Sequence, residues 1–467
     1  MIYYYLMNAA EIQDLYNKQK AYFNTGATRS YEFRRKQLVL LKQIIKQNEQ
    51  AILDALALDM HKPAFEAFLS ENGIVYEEIN LTLSNLKSWM KPKSVATPMA
   101  LQLSSSYIYK DPLGLTLIIG PWNYPFQLIF APLIGAIAGG NCAIVKPSEF
   151  TTHTTNLVAK LIRENFDEAY ISVVLGDGHI VGPLLIENHH FNLIFFTGST
   201  SVGKEIMRLA AKQLSPVVLE LGGKSPAIVA EDANISLAAK QLVWSKFFNA
   251  GQTCVSPDYV LVHHSKKAKL IDEMISYIKE FYGDNPLDSA DYTHIVNQNR
   301  FNKLLSYLRD VHIVYGGKFN EVNLCIEPTI VDEIPANHSL LHDEIFGPIF
   351  PILTYQTKEE VIEIVSKNPY PLSCYIFTNH SSFEKFLLDR IQFGGGCINN
   401  ALVHLANPHL PFGGISSSGI GNYHGQYSFD VFTHQKSILK TSNLIDLPLR
   451  YPIYTTIKMK LAKLLFR

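Results

Sequence analysis

The chain has 467 residues, and 47% of them are hydrophobic, so it can bury a large core and more than one domain. Its formal net charge of −1 provides no global basic field, which argues against a nucleic-acid partner.

The cysteines argue against a disulfide framework and against a metal site. They are widely scattered and include no C-x-x-C pair: Cys142, Cys254, Cys325, Cys374 and Cys397. This usage suits a reducing compartment, so we expect a cytoplasmic protein.

The N-terminal stretch "MIYYYLMNAAEIQDLY" has no basic segment and no small-residue cleavage site, and we expect no signal peptide. Met7 is an alternative to Met1 as the natural start. No run of about eighteen apolar residues occurs, so we expect no membrane-spanning helix.

The predicted elements change character near residue 90. Before it, apolar residues recur at three-to-four spacing, which predicts helices. After it, strands are predicted at "LTLIIG", "CAIVKP", "YISVVLGD", "FNLIFFTGS" and "PVVLELGGKSPAIVA". Helices are predicted at "PFQLIFAPLIGAIAGG", "TTHTTNLVAKLIRENF" and "TSVGKEIMRLAAKQL". The alternation predicts a parallel sheet covered on both faces, and its restart beyond Glu231 predicts a second α/β domain.

Three motifs carry side chains suited to covalent chemistry. Cys254 of "FNAGQTCVSP" lies in a predicted loop, an unusual place for a cysteine that only fills a core. Glu220 of "LELGGKSP" ends an apolar strand, where burial would raise its pKa toward that of a general base. Asn123 of "GPWNYPF" offers a fixed amide donor to an oxyanion. Taken singly, each has a structural alternative, which is a structural thiol for Cys254, an ion pair for Glu220 and a turn residue for Asn123.

Two further motifs are compatible with a nucleotide site. "FFTGSTSVG" is a strand, a glycine turn and a helix start, where free backbone N–H groups bind phosphate. "IVKPSE" ends a predicted strand with Lys146 and Glu149, which could bind ribose hydroxyls. A carboxylate there favours NAD over NADP. An ordinary strand-to-helix turn and a solvated charge pair remain alternatives.

Together, and in this order, the motifs strongly resemble those of the aldehyde dehydrogenase superfamily over nearly the whole chain. The matching stretches are "PWNYPF", "KPSE", "FTGSTSVG", "ELGGK", "GQTC", "EIFGP" and "PFGG". The ending "GGGCINNALVHLANPHLPFGGISSSGIGNYHGQYSFDVFTHQKSIL" resembles the class 3 or fatty aldehyde dehydrogenase branch. The resemblance implies an α/β fold with two doubly wound parallel-sheet domains plus a small β oligomerisation arm.

The resemblance also implies a division of the chain into domains. Residues 1–99 and 113–221 would form the NAD-binding domain, and residues 222–418 the catalytic domain. Residues 100–112 and 419–440 would form the oligomerisation arm, and residues 441–467 a basic amphipathic tail. A homodimer is implied, with "SSSYIYKDP" and "SFDVFTHQKS" as interface strands.

Roles follow from the same resemblance. Cys254 would be the nucleophile that forms a thiohemiacetal and then a thioester. Asn123 and the Cys254 backbone N–H would hold the oxyanion, and Glu220 would activate water for hydrolysis. Phe412 would line the aldehyde pocket. The cofactor, NAD or alternatively NADP, would be bound by Lys146, Glu149, Gly198, Ser199, Gly203, Glu344 and Phe346. His424 has no role in this mechanism and is interpreted as structural.

The tail "PIYTTIKMKLAKLLFR" predicts an amphipathic helix. Its apolar face would carry Ile457, Leu461, Leu464 and Leu465, and its basic face Lys460, Lys463 and Arg467. We expect either a peripheral contact with an anionic membrane or packing on the partner subunit.

Several alternatives stay open. A thiol esterase that needs no cofactor and a non-catalytic binding protein on the same fold are both compatible with the sequence, and Glu220 disfavours transfer to coenzyme A. The aldehyde, whether medium- or long-chain aliphatic, aromatic or polyene, is not identified.

Overall fold

A computed structural model describes residues 7–446 and 448–466. The predicted extension "MIYYYL", with Met1, and Arg467 of the predicted basic tail lie outside the described residues.

The described α-helices alternate with strands after the first five helices. They are α1 Ala9–Asn24, α2 Tyr31–Gln47, α3 Glu49–Met60, α4 Ala64–Ala67, α5 Gly73–Trp89, α6 Gln127–Gly139, α7 Thr152–Asn165, α8 Gly178–Asn188, α9 Thr200–Ala211, α10 Ile235–Phe247, α11 Lys267–Tyr282, α12 Gln298–Ser306, α13 Lys358–Ser366, α14 Ser381–Leu388, α15 Gln426–Val431 and α16 Thr456–Phe466.

The described strands are β1 Lys93–Val95, β2 Ser104–Pro112, β3 Leu115–Ile119, β4 Cys142–Lys146, β5 Ile171–Val173, β6 Leu193–Thr197, β7 Val217–Glu220, β8 Pro226–Val229, β9 Tyr259–His263, β10 His312–Tyr315, β11 Phe319–Asn320, β12 Cys325–Ile326, β13 Thr329–Asp332, β14 Ile349–Tyr355, β15 Ser373–Phe377, β16 Gly395–Ile398, β17 Gly419–Ile420 and β18 Thr433–Thr441.

The first large sheet has the order β17-β7-β6-β3-β4-β5, and its strands are parallel except for β17. Helix α6 is buried along its whole length and ends at Gly140, whose φ of 82° closes the helix in the left-handed conformation that glycine tolerates. Because β7, β6, β3 and β4 are adjacent and parallel, their carboxyl ends meet at one edge of the sheet. Open α/β sheets bind their ligands at this edge.

The second large sheet has the order β10-β13-β14-β9-β8-β15-β16, with β10 antiparallel to the rest. Its core is built from α10, α11 and the strands they cover, and includes Leu242, Val260 and Phe350. The segments that lead into β8, β9 and β14 carry Gly222, Cys254 and Glu344 respectively. The amino ends of these strands therefore hold the second half of the predicted site.

The predicted strand "PVVLELGGKSPAIVA" is wrong as one element, because it forms β7 in the first sheet and β8 in the second. The chain crosses between the sheets at Gly222 and Gly223, where Gly223 has a φ of 143°. Helix α8 is absent from the sequence prediction, since Gly182 and Pro183 interrupt its pattern.

The third sheet, β1-β2-β18, is antiparallel, and β2 coincides with the predicted strand "SSSYIYKDP". The strand prediction for "SFDVFTHQKS" is wrong in its first half, which lies in helix α15 because Ser428 and Phe429 are buried in the core. The predicted domain boundaries stay predictions.

The tail is helical over Thr456–Phe466, and its apolar side chains are largely exposed, including Ile457 and Leu464. In the described part of the chain no helix is both long and apolar enough to cross a membrane.

Candidate active site

The loop that carries Cys254 begins where α10 ends, and its backbone is held in unusual conformations. Asn249 and Ala250 have φ angles of 54° and 51°, and Gly251 has 74°. A Cβ at Gly251 would lie 2.3 Å from the carbonyl oxygen of Gly347, so only glycine fits there. The Gln252 side chain donates to the carbonyl of Asn249 at 3.1 Å. These contacts fix the loop immediately before the cysteine.

Asn123 is buried beside the same loop, four residues after the last residue of β3. Its Nδ2 donates to the backbone carbonyl of Gln252 at 3.0 Å, two residues before Cys254. Its own backbone carbonyl accepts from Asn249 Nδ2 at 3.1 Å. The Asn123 amide is therefore immobilised next to Cys254. One of its two N–H groups binds the Gln252 carbonyl, and in the described part of the chain the other remains available.

Glu220 ends β7 and is 2% exposed. Neither carboxyl oxygen has a hydrogen-bond partner among the described residues. Burial raises the pKa of this carboxyl well above its usual value. A buried carboxylate without a partner is costly, and this arrangement is typical of a general base in a catalytic cleft.

Cys254 is partly buried, and its thiol faces two carboxyl groups. Burial, with the neighbouring Glu344 and Glu220, raises its pKa to about 12. In the protein alone the thiol is therefore protonated at neutral pH. A positive charge brought to the site would lower this pKa and release the thiolate.

Two cavities meet at Cys254. The first has a volume of about 180 Å³ and a mostly apolar lining, which includes Leu128, Trp244, Phe248 and Phe412. Glu220 and Cys254 lie in its wall. The predicted pocket residue Phe412 thus lines the same cavity as Cys254 and Glu220.

The second cavity has a volume of about 310 Å³ and a more polar lining. Predicted site residues in its wall are Asn123, Gly198, Ser199, Cys254, Glu344 and Phe346. The structure therefore brings these six residues together around one space.

Ser199 caps α9 by accepting a hydrogen bond from the backbone N–H of Val202 at 3.4 Å. This helix N-terminus opens into the second cavity, and its N–H dipoles favour an anion such as a pyrophosphate. Gly203 lies farther along α9, outside both cavity walls. A Cβ on Gly203 would lie 2.6 Å from the Leu221 side chain, so it allows close packing of α9.

Glu344 approaches Gly222 so closely that a Cβ there would lie 2.3 Å from its carboxyl oxygen. Burial, followed by the charge of Asp258, raises the pKa of Glu344 to about 8. Phe346 lies edge-on to Trp122 with ring centroids 5.3 Å apart. The "EIFGP" segment therefore forms a firm wall of the second cavity.

Lys146 and Glu149 lie outside the walls of both cavities, at the carboxyl end of β4. Their side chains pair with Nζ to Oε2 at 2.5 Å, and Glu149 also accepts from the backbone of Gly178 at 3.0 Å. Burial acts to raise the pKa of Glu149, but the hydrogen bonds from Lys146 and Gly178 outweigh it and lower the pKa. The carboxylate is charged and stands at the sheet edge that continues from the second cavity.

Comparison with known proteins identifies the family. The aldehyde dehydrogenase family profile matches residues 1–438. The 4,4'-diaponeurosporen-aldehyde dehydrogenase of Staphylococcus aureus is 45% identical over 98% of this chain and 99% of its own. Aldehyde dehydrogenase family 3 member B1 of Rattus norvegicus is 42% identical over 95% of each chain.

The chain belongs to the aldehyde dehydrogenase family.

Solved structures agree with this assignment. The substrate-bound state of Staphylococcus aureus AldH has a TM-score of 0.96 and 45% identity, covering 99% of this chain and 100% of the other. The glyceraldehyde-3-phosphate dehydrogenase GapN of Methanocaldococcus jannaschii, complexed with NADP, has a TM-score of 0.84 and 25% identity over 94% and 95%. An indole-3-acetaldehyde dehydrogenase in complex with NAD+ has a TM-score of 0.85 and 27% identity over 94% and 90%.

A buried ion pair that no sequence motif indicates supports the active site of this aldehyde dehydrogenase. Lys62 Nζ lies 2.9 Å from Glu71 Oε1, and both side chains are fully buried. Lys62 Nζ also donates to the carbonyl of Asn123 at 3.2 Å. The other oxygen of Glu71 accepts from the backbone N–H groups of Phe126 and Gln127 at 3.1 and 2.8 Å.

No signal in the sequence reveals this pair. Lys62 and Glu71 are nine residues apart, beyond the three- or four-residue spacing at which side chains pair along a helix. Lys62 also precedes a proline in "MHKPAFE", where a solvated lysine is the ordinary expectation. The pair forms because both side chains converge on the loop of Asn123.

We predict that Glu71→Gln lowers the free energy of unfolding by about 3–5 kcal/mol, because it removes the carboxylate that pairs directly with the buried Lys62 ammonium. The double variant Lys62→Met/Glu71→Gln should recover part of this loss, since it removes both charges. Urea unfolding of the three proteins measures the difference. Asp389→Asn, which breaks the exposed pair with Lys385, is the control and should cost less than about 1 kcal/mol. A Glu71→Gln protein as stable as the native one would contradict the role of the pair.

Proposed function

We propose that this enzyme oxidises an apolar aldehyde to the carboxylic acid through a covalent intermediate on Cys254, with NAD(P) as the hydride acceptor. The observation that carries the proposal is the position of Cys254, where a mostly apolar cavity meets a more polar one. The first cavity suits the aldehyde and the second suits the nicotinamide end of a dinucleotide. The homologous structures complexed with NADP and with NAD+ support the choice of cofactor.

The residues of this chain fit a dinucleotide. Gly198 and Ser199 offer the N-terminus of α9 to its phosphates. Thr197 Oγ1, in the walls of both cavities, is buried without a partner among the described residues, so a donor or acceptor is still to be supplied there. Glu344 and Phe346 would hold the nicotinamide ribose and ring. When bound, NAD(P) supplies the hydride acceptor and a positive charge.

The proposed assignment of the adenine ribose to Lys146 and Glu149 rests on their place at the end of β4. The charged carboxylate of Glu149 accepts hydrogen bonds from ribose hydroxyls and repels a 2′-phosphate. We therefore infer a preference for NAD over NADP.

Covalent attack begins at the thiolate of Cys254, which forms when the thiol gives its proton to water. Its sulfur forms a bond to the carbonyl carbon, and the carbonyl oxygen takes the electron pair as an alkoxide. The second N–H of Asn123 and the backbone N–H of Cys254 donate to this oxygen and stabilise it. The resulting thiohemiacetal carries the hydrogen that must leave as hydride, and its loss gives a thioester.

Hydrolysis of the thioester falls to Glu220. As a carboxylate it takes a proton from water, the water oxygen bonds to the thioester carbon, and the carbon–sulfur bond breaks to return Cys254. Since burial raises the pKa of Glu220, the ionised form is a stronger base than an ordinary carboxylate. Because neither Glu220 carboxyl oxygen has a hydrogen-bond partner among the described residues, either oxygen can accept the proton from water.

The substrate is proposed from the first cavity. Its wall is aromatic and aliphatic over most of its area, and this favours medium- or long-chain aliphatic, aromatic or polyene aldehydes over small polar ones. The relative named for a diaponeurosporen aldehyde supports a long polyene among these. A thiol esterase or a binding protein would not need the second cavity and its residues.

The reaction predicts a simple pattern of NADH formation with a long-chain aldehyde. The native enzyme should turn over, whereas Cys254→Ala should form no NADH because no thiohemiacetal forms. Glu220→Gln should give one NADH per active site and then stop, since the thioester is not hydrolysed. Absorbance at the NADH band follows all three. Cys397→Ala, which removes another partly buried thiol, is the control and should keep its activity. Steady turnover by Cys254→Ala, or product formed without cofactor, would contradict the proposal.

We also propose a cytoplasmic homodimer with a peripheral membrane contact. In the β1-β2-β18 sheet, β18 is an edge strand with exposed apolar side chains such as Ile438 and Leu439, which favours pairing with a second copy. Helix α16 presents Ile457 and Leu464 to solvent beside Lys460 and Lys463, a pattern typical of helices that bind anionic lipid surfaces.

One experiment separates these two contacts. Deletion of residues 455–467 should abolish cosedimentation with vesicles containing phosphatidylserine, and sedimentation velocity should still find a dimer. A matched variant with Lys460→Glu and Lys463→Glu should lose binding to anionic vesicles without losing the helix. If the deletion leaves vesicle binding unchanged, the membrane contact is wrong. If the deletion yields a monomer, the tail packs on the partner subunit instead.

A further inference from the structure

The wall of the aldehyde cavity contains a buried imidazole that the reaction does not use. His424 is 4% exposed and lies in the same wall as Cys254 and Glu220. Its Nε2 has no hydrogen-bond partner among the described residues. A buried polar atom without a partner is unfavourable in a folded protein, so this nitrogen points to a group that a ligand supplies.

The imidazole is held in one orientation. The backbone of His424 has a φ of 79°, and its N–H donates to Ser428 Oγ at 2.9 Å. The next N–H, of Gly425, donates to buried Glu78 at 2.7 Å. The ring stacks on Phe412 with centroids 5.2 Å apart, and Tyr423 lies edge-on to it at 4.3 Å. The direction of Nε2 is therefore fixed by its surroundings.

The hydrogen-bonding role of Nε2 follows from the other ring nitrogen. The ring has a hydrogen bond with the Leu405 backbone that favours the protonated form, so a carbonyl accepts a proton from the ring. Because Nε2 is unpartnered, the donor is Nδ1. Burial lowers the pKa of His424 to about 4, which keeps the ring neutral. In this tautomer Nε2 is an acceptor and needs a donor.

Several other polar side chains of the cavity wall have partners among the described residues. Thr253 pairs with the Tyr124 hydroxyl at 2.5 Å, and Ser70 donates to the carbonyl of Glu66 at 2.7 Å. Gln127 is hydrogen-bonded to the Tyr423 hydroxyl. The unpartnered Glu220 and Thr197 are assigned to the reaction and to the cofactor. His424 is thus the acceptor left for the body of the substrate.

We propose that Nε2 of His424 accepts a hydrogen bond from a hydroxyl group on the chain of the substrate, so that the enzyme prefers hydroxylated aldehydes to plain aldehydes of the same length. This inference rests on the proposed aldehyde oxidation. His424 would then determine substrate specificity. The preferred substrates would be aldehydes with an apolar chain that carries one hydroxyl group at a fixed distance from the aldehyde carbon.

The test compares kcat/KM for matched pairs of substrates. Decanal is compared with decanals that carry a hydroxyl group on one of carbons seven to ten. At these positions the hydroxyl is too far from the aldehyde to form a cyclic hemiacetal readily. The 3- and 4-(hydroxymethyl)benzaldehydes are compared with the matching tolualdehydes, which covers shorter distances. We expect a preference of about fivefold to tenfold for at least one hydroxylated member, the contribution of one hydrogen bond.

The variants locate this preference. His424→Phe removes the acceptor and keeps an aromatic ring, and His424→Asn, which tolerates a positive φ, removes the ring. Both should lower the preference to about one. Because it is a ratio within one enzyme, a partly folded preparation does not change it. His404→Phe is the control, since His404 is also mostly buried but its ring nitrogens face Cys397 and Ser373 and it lies outside the cavity wall.

Three results would overturn the inference. These are a native enzyme that oxidises plain and hydroxylated aldehydes equally, a preference that survives in both His424 variants, and a preference lost equally in His404→Phe. If the native enzyme oxidises none of these aldehydes, the proposed function fails instead, and the plain aldehydes report that failure separately.

Discussion

The hydrogen bond between the Asn123 amide and the carbonyl of Gln252 joins the two halves of this enzyme at the reacting atoms. Asn123 follows β3 of the first sheet, and Gln252 leads into β9 of the second. This contact brings the edge of the first sheet, where we propose that the cofactor binds, close to Cys254, the proposed nucleophile, which precedes β9 of the second sheet. The buried Lys62–Glu71 pair and the strained loop at Asn249 support it from either side.

Burial of this junction away from water determines the pKa values of its ionisable groups. Glu220, Cys254 and Glu344 are close together, and burial is the main cause that raises the pKa of each. Burial therefore favours the protonated form of each of these groups in the protein alone. A positively charged cofactor reverses the balance, since it favours the thiolate. A base of raised pKa then remains for the hydrolytic step.

The sequence predicts much of the site because parallel strands converge. Asn123 and Ser199 follow or end predicted strands of one sheet, Glu220 lies in the next predicted strand just before its two glycines, and adjacent carboxyl ends place all three together. The segments that carry Cys254 and Glu344 are recognised through their motifs. The local pattern of residues does not indicate to which sheet a strand belongs. The stretch "PVVLELGGKSPAIVA" is therefore predicted as one strand, although it forms β7 in the first sheet and β8 in the second.

Long-range pairs are equally hidden. The Lys62–Glu71 ion pair forms where both side chains contact the loop of Asn123, which is more than fifty residues away in the sequence. The spacing of residues along the chain does not predict such a contact. His424 is interpreted as structural from the sequence because its cavity is formed by distant segments, such as those of Leu128, Trp244 and Phe412. Only the fold shows that His424 lines this cavity and that its Nε2 is buried without a partner among the described residues.

The most direct test of the account is the mass of the Cys254 peptide after Glu220→Gln enzyme has reacted with a long-chain aldehyde and NAD. We expect an acyl group on Cys254, with a gain equal to the mass of the aldehyde less two hydrogen atoms and in proportion to the NADH formed. NADH formed without an adduct on this peptide, or an adduct on Cys397 in its place, would contradict the covalent route on which the whole interpretation depends.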